Sequence, residues 1–125
     1  MFKVVVAGSR NFGNYAYASM VLDKAFSNRK PDYIVCGMAR GADMIGHQYA
    51  LDHKIALYEF PADWKNEGKS AGYNRNVRMA AVADAVVVFW DGESHGSKHM
   101  IDIAVNKGIP VIVCRYTENK IYKIG

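Results

Sequence analysis

The run Ala83 to Lys98, ADAVVVFWDGESHGSK, constrains the fold more than any other stretch of this chain. Ala85 to Trp90 is apolar throughout, with three consecutive valines, and it stops at Asp91-Gly92. A strand with no polar alternation must be covered on both faces, which is the situation of a central strand in a parallel sheet flanked by helices. Beyond the stop, Ser94, Gly96 and Ser97 lead into a new helical pattern. The strand therefore delivers a glycine-rich polar loop to a helix N-terminus, where unpaired amides and the helix dipole favour an anion.

The rest of the chain repeats this alternation. Phe2 to Ala7 reads as a first strand ending at Gly8-Ser9-Arg10, with turn composition from Asn11 to Asn14. From Tyr15 the period changes: Ala18, Val21, Leu22, Ala25 and Phe26 recur at three and four, a helix closed by Asn28 to Pro31. Tyr33 to Cys36 is a second strand, and Gly37 to Asp43 a small-residue loop in which Asp43 is read as the cap of a helix from Met44 to His53. Ile55 to Phe60 is the third strand, and Ala62 to Ser70 reads as a surface excursion. The helix Ala71 to Val82 has Val77, Ala80 and Ala81 on an apolar flank, with Asn74, Arg75 and Arg78 on a polar one. Ile101, Ala104 and Val105 face inward from a fourth helix that Gly108 ends, and Pro110 to Cys114 is the fifth strand. The tail from Arg115 to Gly125 alternates weakly and reads either as an extra edge strand or as a subunit contact. The expected fold is an α/β doubly wound sheet of about five mostly parallel strands with helices on both faces, in one domain over residues 1–125.

Composition narrows the function classes. Sixteen Lys plus Arg against twelve Asp plus Glu leave a formal charge of +4, which tolerates anionic partners but is too small and dispersed for a dedicated nucleic-acid binder. The first apolar run is too short for a signal peptide or membrane span, and Cys36 and Cys114 lie in strand-like runs with no paired-cysteine motif. Both features fit a cytoplasmic protein with buried reduced thiols. The four histidines show no metal-like pairing with cysteine, and Gly8 to Gly13 has the wrong glycine spacing for the dinucleotide fingerprint. A P-loop and a serine nucleophile elbow are also absent, so no metal or cofactor beyond a nucleotide-type ligand is indicated.

Right-handed crossovers place the loops after the first four strands on one sheet edge. Gly8, Gly37, Gly41, Gly92 and Gly96 lie in these loops, where a missing side chain permits positive φ or close approach of a ligand to backbone amides. Ser94 to Ser97 offers hydroxyls and free amides to phosphate oxygens, besides ordinary capping, with Lys98 as a nearby charge. Ser9 and Arg10 follow the first strand, Arg40 sits in the second loop, and Arg75, Asn76 and Arg78 lie on the third helix. Each arginine fork suits phosphate oxygens or a structural salt bridge to Asp43, Asp63 or Glu67. Trp64 and Trp90 are alternative stacking surfaces for a base. Asp43, Asp63, Glu67 and Asp91 are loop-edge carboxylates that serve either solvation or acid-base chemistry.

Taken together, Gly8-Ser9-Arg10, Gly37-Met38-Ala39-Arg40-Gly41-Ala42-Asp43, Pro61-Ala62-Asp63-Trp64, Ala71 to Asn76, Met79 and Phe89 to Ser97 resemble the YspA-like group of small bacterial and phage proteins, formerly a domain of unknown function. That group belongs to the SLOG superfamily, with DNA-processing protein A and the lonely guy phosphoribohydrolases. The resemblance implies a Rossmann-like sheet, a site for a nucleotide or nucleotide-derived ligand at the strand ends, and a homo-oligomer. Binding or sensing of such a ligand is the leading expectation. The alternatives are N-glycosidic hydrolysis of nucleoside 5'-monophosphates, or single-stranded nucleic-acid binding, as in the DNA-processing relative. The phosphoribohydrolases carry an arginine on the third helix, here matched by Arg75 or Arg78, and a catalytic glutamate on the fourth helix, near whose position this chain has Met100.

Overall fold

The inner strands form where the sequence is continuously apolar because both faces of the sheet are covered there, whereas the outer strands at 56–60 and 120–124 are largely exposed. The computed structural model describes residues 1–37 and 41–125. Strands β1 (Lys3–Gly8), β2 (Tyr33–Gly37), β3 (Ala56–Phe60), β4 (Ala85–Trp90), β5 (Val111–Arg115) and β6 (Lys120–Ile124) make one sheet in the order β3-β2-β1-β4-β5-β6. The first five are mutually parallel, and β6 returns antiparallel to β5. The order reverses between β2-β1 and β4-β5, so a crevice opens beyond the C-terminal ends of β1 and β4.

Successive residues of a strand point to opposite faces, and here both directions lead into core. Val4 and Val6, with Ile34, Val87 and Phe89, pack with residues of helices α1 (Tyr15–Ala25) and α2 (Ala42–Asp52). Val5 and Ala7, with Val35, Val86 and Val88, pack with residues of α4 (Ala71–Val82) and α5 (His95–Lys107) on the other face. Cys36 and Cys114 are buried free thiols, and burial pushes each up to about 12, so both stay protonated and inert at neutral pH. Among the described residues no helix is long and apolar enough to cross a membrane.

The tail takes the edge-strand alternative and adds a sixth strand, with Asn119 at a positive φ of 52° in the turn before β6. Other local expectations are corrected. Residues 62–70 are not a plain excursion: Trp64–Glu67 is a short helix, α3, followed by a 3₁₀ turn, and the Asp63 carboxylate caps it by accepting from Asn66 N–H at 3.2 Å. Asp43 does not cap α2. That helix starts at Ala42, with Gly41 in the cap position, and Asp43 is turned inward. Val77 and Val105 are exposed, because α4 buries Ala71, Arg75, Asn76, Met79 and Ala80 instead, and α5 buries Met100, Ile101 and Ala104.

The tightest point in the sheet is where β1 meets β4. Gly8 pairs with Phe89, and a Cβ at Gly8 would lie 2.0 Å from the Phe89 carbonyl oxygen, with φ at +150°. No side-chain rotation relieves a clash with backbone. Gly8→Ala is expected to destabilise the protein by about 2–4 kcal/mol, read as a lowered urea midpoint at unchanged m-value.

Candidate functional site

A cleft of about 470 Å³ opens at the crevice between β1 and β4. Its walls come from the loop after β1 (Gly8, Ser9, Arg10, Asn11), the start of α2 (Asp43), α3 and the following turn (Trp64, Lys69), the first turns of α4 (Gly72, Tyr73, Arg75, Asn76) and the β4–α5 segment (Asp91, Ser94, Gly96, Ser97, Met100). The crossover geometry thus brings together most of the residues read as candidates from sequence.

Arg75 is the buried cation of this cleft, beside the exposed Arg10 and Lys69. It projects from α4 with its side chain only 10% exposed, and its Nη1 lies 3.9 Å from the Asp43 Oδ2. Its Nε is buried and finds no hydrogen-bond partner among the described residues. Gly37 makes this placement possible, since a Cβ there would fall 2.0 Å from Arg75 Nη1 and 2.9 Å from Asp43 Oδ2. Gly37 is therefore a cradle beneath the arginine and is not among the residues lining the cleft. Arg78, the other arginine of this helix, is directed elsewhere: its Nη1 and Nη2 donate to the Glu67 carboxylate at 3.3 and 3.1 Å. That hydrogen bond holds Glu67 below the usual carboxylate range and raises Arg78.

The β4–α5 loop is shaped from within. The Asp91 carboxylate accepts from Glu93 N–H at 2.9 Å and Ser94 N–H at 2.8 Å. Burial pushes its pKa up, but these two amides and the Ser9 hydroxyl outweigh burial and leave it below the ordinary value. Ser94 is the N-cap of α5: its Oγ accepts from Ser97 O–H at 3.2 Å and from Ser97 N–H at a long 3.5 Å. The amides of His95 and Gly96 have no intrahelical acceptor, so the first turn of α5 presents donors to the cleft. Asn76 fixes the distance between this turn and Arg75, its Nδ2 donating to the Gly96 carbonyl at 3.0 Å.

Ser9 is buried and fully engaged. Its N–H donates to the Phe89 carbonyl at 2.9 Å, its carbonyl accepts from Phe12 N–H at 3.2 Å and Ala42 N–H at 3.3 Å, and its Oγ accepts from Asp91 N–H at 3.1 Å. Gly41, with φ at +76°, lets α2 approach this loop, since a Cβ would lie 2.4 Å from the Ser9 carbonyl. Gly37 and Gly41 thus build the site from outside the lining, Ser9, Asn76, Asp91, Gly96 and Ser97 both frame and line it, and Arg10, Trp64 and Arg75 line it.

Trp64 is 52% exposed at the rim, whereas Trp90 is absent from the cleft. Trp90 Nε1 donates to the Ser94 carbonyl at 3.0 Å and its ring carries the Arg115 guanidinium at 5.3 Å, so it braces the loop from outside. Lys98 is also turned away, paired with Asp102 at 2.9 Å. Arg40 lies outside the described residues. Lys69, Tyr73 and Asn11 line the cleft but are not singled out as site residues from sequence, because a lone Lys, Tyr or Asn carries no pattern; the available signal for Tyr73 is its three-residue helical spacing from Asn76, which puts the two on neighbouring positions of one face. Among the described residues no group of three or more His, Cys, Asp or Glu side chains gathers to hold a metal ion.

Comparison with known proteins agrees with this fold. The YAcAr family profile, described as the YspA, cpYpsA-related SLOG family, matches residues 2–66, from β1 through most of α3. The Gene 61 protein of Mycobacterium phage D29 is 33% identical over 119 residues, covering 90% of this chain and 95% of the phage protein. DNA processing protein A (DprA) from Streptococcus pneumoniae superposes with a TM-score of 0.72 at 21% identity, over 90% of this chain and 50% of that one, a likeness of fold. By profile and by its phage relative alike, the chain belongs to the YspA, cpYpsA-related SLOG family.

Proposed function

We propose that this chain binds a nucleotide or nucleotide-derived ligand, with a phosphate between Arg75 and the first turn of α5 and the base over Trp64. One observation carries the reading: a buried guanidinium at the cleft, with Nε unpartnered among the described residues and its carboxylate neighbour 3.9 Å away. A buried charge with incomplete hydrogen bonding is costly to maintain, and an anion in the cleft, meeting the exposed tenth of the side chain, offsets part of that cost through its charge. The amides of α5 supply donors on the opposite side, and the fork of Arg75 suits two phosphate oxygens. Exposed Arg10 and Lys69 at the rim add attraction at longer range.

Binding is favoured over hydrolysis by the acid-base inventory. Among the described residues, the carboxylates lining the cleft are Asp43 and Asp91. Asp91 is held by two amides and Asp43 stands beside Arg75. Met100, fully buried, occupies the wall contributed by α5, so no carboxylate projects from that helix into the cleft.

Calorimetric titration with AMP, CMP and ADP-ribose is expected to show saturable binding that Arg75→Gln weakens by about 10- to 100-fold, the range of a charge-assisted pair. Arg78→Gln is the control and leaves affinity within about twofold, given its pairing to Glu67. Absence of saturable binding across this panel rejects the proposal. Free base released from the monophosphates reinstates hydrolysis, and salt-sensitive retention of single-stranded DNA that mononucleotides do not compete points to nucleic acid.

The reading also requires a loop shaped in advance by Asp91. Because its folded pKa lies below the unfolded value of about 3.9, the stabilisation is complete above that pH and is lost as pH falls through the lowered value. The stability difference between wild type and Asp91→Asn in urea is expected to be constant from pH 8 to 5 and to shrink below about pH 4.

A further inference from the structure

Tyr73 is an exposed aromatic residue, 44% accessible, on the wall of the same cleft as Trp64. An exposed tyrosine on a helix needs no explanation by itself, but the position of this ring is fixed. It meets the His99 imidazole edge-to-face, with centroids 4.7 Å apart and planes at 87°. His99 is in turn held from α4, its Nδ1 lying 3.3 Å from Asn76 Nδ2, and the same amide donates to the Gly96 carbonyl. Burial lowers the His99 pKa, which keeps the ring neutral and able to accept from Asn76. Tyr73, His99, Asn76 and the first turn of α5 therefore form one connected brace.

Trp64 faces this brace from α3. It lies across Gly72, the residue before Tyr73, where a Cβ would be 3.6 Å from the Trp64 Cη2. Trp64 and Tyr73 are not in ring contact with one another, so both rings keep surface open to the cleft. Their shared wall adjoins Arg75, two residues beyond Tyr73 on the same helix.

We infer that Trp64 and Tyr73 together form an aromatic subsite that holds the ligand's base by stacking, with Tyr73 the residue that determines preference among bases. This rests on the nucleotide reading of the same cleft. Stacking is tolerant of base identity and grows with ring area, so the subsite ranks purine above pyrimidine nucleotides. The positioning by His99 matters because a ring held before binding loses less freedom when the base arrives.

The test compares AMP, CMP and ribose 5-phosphate by calorimetry on the full chain, wild type against Tyr73→Ala and Tyr73→Phe. Wild type is expected to bind AMP roughly 5- to 150-fold more tightly than ribose 5-phosphate, the range seen for one stacked base, with CMP between them. Tyr73→Ala removes most of that gap and leaves ribose 5-phosphate within about twofold, while Tyr73→Phe, which keeps the ring, retains the gap. AMP binding no more tightly than ribose 5-phosphate, or Tyr73→Ala weakening both equally, overturns the aromatic subsite while the phosphate site stands. Failure of all three to bind overturns the phosphate site and this inference with it. Tyr73 is exposed, so a melting temperature matching wild type for both variants confirms that the comparison is made on folded protein.

Discussion

The close approach of β1 and β4 at Gly8 and Phe89 is the constraint on which the site depends. Beyond that contact, Ser9 ties three segments together, bonding β4 through the Phe89 carbonyl, α2 through the Ala42 amide and the β4–α5 loop through the Asp91 amide. Both its backbone groups and its hydroxyl are engaged, as a buried polar residue requires. Because β1 and β4 diverge in connectivity beyond this seam, the two loops separate and leave the cleft between them. A glycine followed by a small hydroxyl residue is what the seam demands: no Cβ at the first position, and a short polar side chain at the second.

The same seam explains why so many polar residues around the cleft face one another and so few face inward. Asp91 folds back onto the amides of Glu93 and Ser94, Ser94 caps α5, and Asn76 clamps α4 to α5. Each satisfies a group that would otherwise be buried without a partner, and together they hold the loop in shape before a ligand arrives. Among the described residues, the cleft is also lined by the Arg75 side chain, the first turn of α5, two aromatic rings and the exposed cations Arg10 and Lys69.

The sheet was legible from sequence because its pattern is extreme: strands covered on both faces are continuous apolar runs, and glycine-rich stops follow them. The cleft was legible as a location for the same reason, since right-handed crossovers put the loops on one edge whatever their composition. Roles were less legible. Gly37 looked like a ligand-facing glycine and is a cradle for Arg75; Asp43 looked like a helix cap and stands beside that arginine. Neither follows from local sequence, because the contact joins residues on β2, α2 and α4. The helical faces misled for a related reason: Arg75 and Asn76 interrupt the apolar stripe of α4, and a hydrophobicity pattern assigns them to solvent although both are buried. The preference for Trp64 over Trp90 as a stacking surface is legible from its place in a loop, whereas the donation of Trp90 to the Ser94 carbonyl is not.

On the proposed reading, the charge arrangement beneath the cleft decides where binding energy resides. Arg75 is withdrawn from water by the packing of α4, yet Asp43 is at 3.9 Å, too long for a bidentate pair, so their attraction compensates only part of the desolvation. The fold tolerates this because Gly37 lets backbone pass directly under the guanidinium without displacing it. An anion arriving at such a group meets a charge whose dehydration has already occurred during folding, in surroundings of lower effective dielectric than the rim. Arg10 and Lys69 carry the same formal charge but are exposed, so each contact they make exchanges one hydrated state for another and is screened by salt. On the proposed reading, the buried arginine sets how tightly an anion is held, and the exposed cations set how quickly it is found.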